Sequence, residues 1–190
     1  RPAALARYAT AMGWQVTVIT GPAPTSPTEA GQRLLEYVGD KVRIVRTTTS
    51  QLRPSHRLFP DIDGGLMGAL DMVDAARRAF GTDLPYTIVA TGPTFNSFVA
   101  GSMLTRTSRG RLILEYRDEW TLCPFDFVSK SGANRTWERR CLARADAVVF
   151  TTESQRRHHE ATFGASAARQ RWVVPNGWEP AEGSPSGRAG

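Results

Sequence analysis

Leu112-Ile113-Leu114-Glu115-Tyr116-Arg117-Asp118-Glu119-Trp120 decides how this chain of 190 residues is read. An apolar strand runs without a break into three charged residues and a tryptophan, at the point where the next loop should begin. In an open α/β sheet, ligands collect in the crevice outside the carboxyl ends of the strands. A strand tip ending in Arg, Asp, Glu and Trp is therefore a candidate site for a polar substrate. Thr151-Thr152-Glu153 and Asn176-Gly177 follow apolar strands in the same way.

Working outward, strands alternate with helical patterns. Leu5, Tyr8, Ala9 and Met12 fall on one face of a first helix, which Pro2 opens and Gly13 stops. Val16–Thr20 and Val42–Thr47 read as strands, with a short helix over Gln32–Val38 between them. Ser50–Gly65 reads as a long loop. Asp63 is a candidate cap for a helix over Leu66–Phe80, whose Ala69, Met72, Val73, Ala76 and Phe80 share a stripe. The strand Tyr86–Thr91 ends at Gly92-Pro93, and Thr94 is a candidate cap for a helix carrying Phe95, Phe98, Val99 and Met103. The strand Arg111–Tyr116, a helix over Gly132–Arg144, the strand Ala147–Phe150, a helix over Ser154–Phe163 and the strand Arg171–Val174 complete the order. This order predicts an α/β fold: a Rossmann-like, mostly parallel sheet with helices on both faces. Residues 1–179 form one domain, and the Pro-, Gly- and Ser-rich stretch 180–190 is a flexible tail or linker.

The chain opens directly in a helix, whereas βαβ order calls for a strand before it, one that is central in a doubly wound sheet. The expectation is that a preceding strand and its loop belong to the native protein.

Bulk properties exclude several classes. At 41% hydrophobic residues the chain can bury one globular core. No run of about 18 apolar residues exists, so no transmembrane helix is expected. No signal peptide is recognised at its start, and a cytoplasmic location is expected. Cys123 and Cys141 form neither a CxxC pair nor a metal cluster with His. The net charge is +6, and the basic residues are nearly all Arg, with Lys only at 41 and 130. Such a surface suits nucleic acid, anionic lipid or a phosphorylated substrate, or is simply solvated. No GxxxxGK[ST], GxGxxG or GxSxG motif occurs, so those nucleotide and nucleophile sites have no support.

The ends of successive strands carry the candidate site. Asp118 is the candidate catalytic residue, as an acceptor for substrate hydroxyls or a general base; otherwise it partners Arg117 or caps a helix. Gly92, Arg117, Glu119, Trp120, Glu153, Asn176 and Gly177 are the candidate substrate-binding residues, with no metal. The helix starting near Thr94 would point its N–H groups into the same crevice. Gly and Thr at these places also serve simply to turn strand into helix, and Trp120 suits a core as well as a sugar-stacking ring. Glu115 and Tyr116 alternate across the strand, and a buried Glu115 needs an Arg partner. His158 and His159 are consecutive on a helix, diverge by about 100°, and read as surface residues.

These residues carry a resemblance. Arg1-Pro2, Leu5-Ala6 and Gly13-Trp14-Gln15-Val16-Thr17-Val18-Ile19-Thr20 are similar to the first helix and the G-x-x-V-x-V-x-T second strand of family-4 glycosyltransferases. Glu115-Tyr116-Arg117-Asp118-Glu119-Trp120 resembles the E-x-R-D-x-W of one branch. Glu138 with Arg144-Ala145-Asp146-Ala147-Val148-Val149, and Val173-Val174-Pro175-Asn176-Gly177, resemble its E…xADxV and VIPNG segments. The match runs from Arg1 to about Trp178.

The resemblance implies one half of the two-domain GT-B fold: the N-terminal, acceptor-side domain of an enzyme that moves a sugar from a nucleotide-sugar donor, with retention, to an acceptor. The acceptor would be a sugar, a lipid-linked molecule or a natural product. No cofactor is implied beyond the nucleotide sugar as co-substrate. In the family a C-terminal domain holds most of the donor, with an acidic pair spaced E-x7-E; that half is not in this sequence, so this chain alone is not expected to turn over substrate. A histidine common after the family's fifth strand is replaced here by Asp118.

Two other readings compete. A stand-alone Rossmann-type domain would bind a small ligand without chemistry, and a basic nucleic-acid module would show an Arg stripe interleaved with aromatics. The Arg residues are scattered instead, so no nucleic-acid partner is expected. Arg53, Arg57, Leu58 and Phe59 in the loop Ser50–Pro60 are candidates for peripheral contact with an anionic membrane.

Overall fold

A computed structural model describes residues 1–26, 28–48, 62–81, 83, 87–106, 110–125, 129–164 and 170–177. Arg53, Arg57, Leu58 and Phe59 of the loop, and the tail 180–190, lie outside the described residues.

The chain runs α1 (Pro2–Ala11), β1 (Thr17–Thr20), α2 (Glu29–Val38), β2 (Arg43–Arg46), α3 (Leu66–Phe80), β3 (Thr87–Gly92), α4 (Asn96–Arg106), β4 (Arg111–Tyr116), α5 (Gly132–Arg144), β5 (Ala147–Phe150), α6 (Glu153–Phe163) and β6 (Gln170–Val173). Local chemistry sets several boundaries. Pro2 stands in the first turn of α1, where no N–H is needed. Gly13, just past the end of α1, has φ +88°, a conformation that glycine adopts without steric cost. The Thr28, Ser131 and Thr152 side chains accept hydrogen bonds from the N–H of Gly31, Asn134 and Gln155, capping α2, α5 and α6. Asp63 does not cap α3, whose N-cap is Gly65; its Oδ2 instead accepts from the Phe95 N–H at 2.8 Å.

β3, β4, β5 and β6 form a parallel four-stranded sheet in that order. Thr87 lies opposite Arg111, Ile113 opposite Ala147, and Ala147 opposite Gln170. β1 and β2 form a separate parallel pair, Thr17 opposite Arg43. Among the described residues no pairing joins β1 to β3.

One apolar cluster unites the molecule. Leu112, Leu114 and Tyr116 from β4, Val148 and Phe150 from β5, Ala90 from β3, and Phe95, Phe98, Val99 and Leu104 belong to it, with Ala69, Val73 and Ala76 of α3. Ile19 of β1 packs against the same cluster. Gly101 of α4 lets that helix lie close on the sheet: a Cβ there would stand 2.9 Å from Leu112 Cδ1 and 3.3 Å from Ala90.

Leu5 and Tyr8 of α1, and Met12 just past its end, are exposed, Met12 by 80%, while Ala6 is the buried residue. The 3.6-residue period marks an apolar face but not what covers it. His159 is buried, not a surface residue: its ring packs 4.5 Å from Tyr116, 5.0 Å from Phe150 and 5.3 Å from Phe163.

Candidate functional site

Parallel strands place their carboxyl ends on one edge, so β3 to β6 gather the loops at those ends along it. Gly92 is the last residue of β3, Asp118 lies two residues beyond β4, Glu153 three beyond β5 and Asn176 three beyond β6. Backbone and side-chain bonds tie these ends laterally. Arg117 donates from Nε to the Gly92 carbonyl at 3.1 Å and from Nη2 to the Pro93 carbonyl at 3.2 Å. The Thr151 hydroxyl donates to the Arg117 carbonyl at 3.4 Å. Arg1 donates from Nε to Glu115 Oε1 at 2.6 Å, and from Nη1 to the Val174 carbonyl at 2.9 Å and to Asn176 Oδ1 at 2.8 Å. The Arg partner that a buried Glu115 requires therefore comes from the start of the chain.

The candidates take different positions along this edge. Asp118 is exposed and makes no hydrogen bond or ion pair among the described residues. Glu119 accepts from or donates to His158 Nδ1 at 3.2 Å, according to the histidine tautomer, so α6 reaches back to the β4 loop. Burial raises the Glu119 carboxyl above its ordinary range, and the neighbouring His158 pulls it partly back. Its Oε2 is buried without a partner. Gly92 has no room for a side chain, because a Cβ would lie 2.4 Å from Phe95 Cε1. Glu153 sits in the first turn of α6 and pairs with Arg156 at 2.5 Å and Arg157 at 3.0 Å. The Arg156 hydrogen bond leads in holding its carboxyl down at about 2. Asn176 and Gly177 are exposed at the end of β6.

Trp120 takes the core position that its sequence left open. The ring is fully buried, stacks on Phe95 at 5.0 Å, and donates from Nε1 to Asn134 Oδ1 at 3.0 Å. It offers no surface on which a sugar could stack.

Beneath the edge lies a buried polar network, whose Glu138 the sequence marks by resemblance but without a role. Glu138 of α5 accepts from the Thr121 N–H at 3.1 Å, from the Thr121 hydroxyl, and from the Tyr116 hydroxyl at 3.0 Å. Burial pushes its carboxyl up to about 7, against the opposing effect of these three donors. Asn134, one turn earlier, accepts from Trp120 and from the Asp63 N–H at 3.0 Å. Together these two side chains fix the loop that carries Arg117, Asp118 and Glu119. For Glu138 the sequence signal is its place in the segment that resembles E…xADxV; for Asn134 it is only the spacing, which puts a polar residue on the buried face of α5.

Among the described residues no three His, Cys, Asp or Glu side chains are grouped to hold a metal, and no helix is long and apolar enough to cross a membrane.

Comparison with solved structures defines the class of fold. Over 92% of its length the chain superposes on the sucrose-phosphate synthase of Thermosynechococcus elongatus, with a TM-score of 0.65 and 17% identity. A second, shorter chain of the same synthase matches over 93% of this chain and 84% of that one, with a TM-score of 0.60 and 18% identity. This chain spans 41% of the longer synthase chain. No curated protein sequence matches it. The glycosyl transferase 4-like domain matches residues 1–177, and the chain belongs to that family.

Proposed function

We propose that this domain is the acceptor-side half of a glycosyltransferase, which moves a sugar from a nucleotide-sugar donor to an acceptor with retention, opposite a second lobe. The observation that carries this reading is the shared edge on which four parallel strands present Gly92, Arg117-Asp118-Glu119, Glu153 and Asn176, in a chain of the glycosyl transferase 4-like family. Ligands of open α/β sheets bind at such edges.

Asp118 is the proposed catalytic residue. It is exposed and free to accept a hydrogen bond from an acceptor hydroxyl. Arg117 fixes the Gly92-Pro93 turn beside it, and Glu119 with His158 forms a second polar pair at the rim. Gly92, whose missing side chain makes room for the Phe95 ring, holds the turn at the end of β3. Asn176 and Gly177 close the far end. The donor is the only co-substrate required.

The test is release of nucleoside diphosphate by the full-length protein over a panel of nucleotide sugars, with sugar and lipid-linked acceptors. Transfer is expected from the full-length protein and none from residues 1–190 alone. Asp118→Asn should lower kcat/KM by about 100-fold, the usual scale for one acid–base group, without a change in Tm. Full activity of that variant would remove Asp118 from the chemistry. Absence of transfer to any acceptor would favour a ligand-binding domain without chemistry. Co-sedimentation with anionic but not neutral liposomes is expected if the acceptor is lipid-linked.

A further inference from the structure

Of residues 117–121, which follow β4, four have side chains tied to other elements and one does not. Arg117 donates to the Gly92 and Pro93 carbonyls at the end of β3. Trp120 donates to Asn134 Oδ1, and the Thr121 hydroxyl donates to Glu138 Oε2, both acceptors lying on α5. Glu119 Oε1 stands 3.2 Å from His158 Nδ1 on α6. Asp118 is exposed and has no side-chain tie among the described residues. The end of β3, α5 and α6 therefore clamp the loop, and the side chain they leave free is a carboxylate.

The ties differ in kind. Those of Trp120 and Thr121 are buried, and those of Arg117 end on main-chain carbonyls. The tie of Glu119 joins two side chains, of which His158 is 52% exposed and Glu119 only 16%. Arg117 thus holds the loop on one side of Asp118, and Glu119 holds it on the other. Glu119 Oε2 is buried without a partner, so among the described residues the contact with His158 is all the hydrogen bonding this carboxyl has. Tyr116 of β4 and Glu138 of α5 both feel the Glu119 charge but donate nothing to it. On α6, the one-turn neighbours Ser154, Gln155, Ala161 and Thr162 are uncharged, Arg157 pairs with Glu153, and the His159 ring packs on Tyr116 and Phe150. Glu119 is the anion that His158 faces. Without the imidazole, a largely buried carboxylate is left with no donor, and it must turn toward water and carry its neighbour with it.

We propose that His158 is a positioning residue for Asp118: its Nδ1–H donates to ionised Glu119, and that bond fixes the angle at which the adjacent Asp118 carboxylate meets an acceptor hydroxyl. This role rests on the glycosyltransferase reading. The bond needs a proton on Nδ1, which the ring carries there in its charged form and in one of its two neutral tautomers. A reacting group that drifts by about 1 Å loses rate steeply, because the reacting atoms must meet in one geometry.

The full-length protein tests this through turnover and through the histidine itself. His158→Ala should lower kcat by about 10-fold or more with KM little changed. Its Tm should hold, since the ring is half exposed. His158→Asn should recover most of the loss, because its amide nitrogen stands where Nδ1 stood. In an Asp118→Asn background, His158→Ala should cost little more, because both changes act on one group. Nitrogen chemical shifts should place the proton of the neutral His158 ring on Nδ1 in the parent, and Glu119→Ala should abolish that preference. An unchanged kcat in His158→Ala, additive losses in the double variant, or a neutral ring protonated on Nε2 would each overturn the proposal. Sugar transfer that is indifferent to His158 retires the positioning role and keeps the enzyme reading. No transfer by the parent, with the proton on Nδ1, retires the enzyme reading, while the bond that fixes Asp118 stands.

Discussion

Arg1 and Glu115 join the first residue of the chain to the middle of the sheet, with the Glu115 side chain 7% exposed. Removing one member of a buried pair leaves the other as an uncompensated charge, a loss of about 3–5 kcal/mol in well-buried cases. Arg1 keeps some solvent contact, so Arg1→Ala should cost roughly 3 kcal/mol, read as a lower urea midpoint. A midpoint within error of the parent would mean that water replaces the guanidinium. Gly92→Ala sets a methyl against the Phe95 ring, and overpacking of this kind costs about 1–3 kcal/mol. Its Tm should fall even with no ligand present. Trp120→Phe removes the Nε1–H bond to Asn134 and should cost about 1–2 kcal/mol. KM for any substrate should stay as it was, because the indole has no exposed surface; a raised KM would return Trp120 to the binding site.

At the scale of the elements, α5 and α6 each bury a titratable group against β4 and its loop. The Glu138 carboxyl is raised to about 7, chiefly by burial. Its contribution to stability is complete below its ordinary value of 4.5 and is lost as pH rises through about 7. The His159 imidazole is lowered to about 3, again chiefly by burial. Its contribution is complete above its ordinary value of 6.5 and is lost as pH falls through about 3. Between 4.5 and 6.5 the unfolded chain holds a proton on the histidine and the folded chain holds one on the glutamate, so the two slopes cancel. Glu138→Gln removes one side of this balance. Its stability should rise with pH across that interval, by up to about 1.4 kcal/mol per unit, where the parent stays flat with respect to these two groups. Denaturant midpoints at pH 4.5, 5.5 and 6.5 measure it, and parallel curves for parent and variant would refute the assignment.

At the scale of the molecule, two sheets share one core but, among the described residues, not one hydrogen-bond ladder. The β1–β2 pair is held by Ile19 and by packing of α3, whereas β4 is paired on both sides. Local opening is easier where fewer bonds must break, so amides of β1 and β2 in residues 1–190 should exchange about 10-fold or more faster than those of Leu112–Leu114. Uniform exchange across both sheets would show that they open as a unit.

The alternation of strand and helix, and most element boundaries, were legible because they rest on local rules. α5 and β5 fall at their expected limits, since capping by Ser131 and the apolar run Ala147–Phe150 need only neighbours in sequence. The polar strand ends were legible for the same reason: a parallel order fixes where every strand tip lies. Facing and partnership were not. The period of α1 marks Leu5, Tyr8 and Met12 without saying that they are exposed. Nothing local joins Arg1 to Glu115, Trp120 to Asn134, or His159 to the ring of Tyr116. By itself the sequence determined an α/β domain, its order of elements and a set of polar residues at the strand ends, because helix caps, β-branched runs and glycine turns act over a few residues. Tertiary structure alone decided which of those residues are exposed, which are buried, and that burial raises the Glu119 and Glu138 carboxyls, because burial and charge pairing depend on groups that meet only when distant segments pack together.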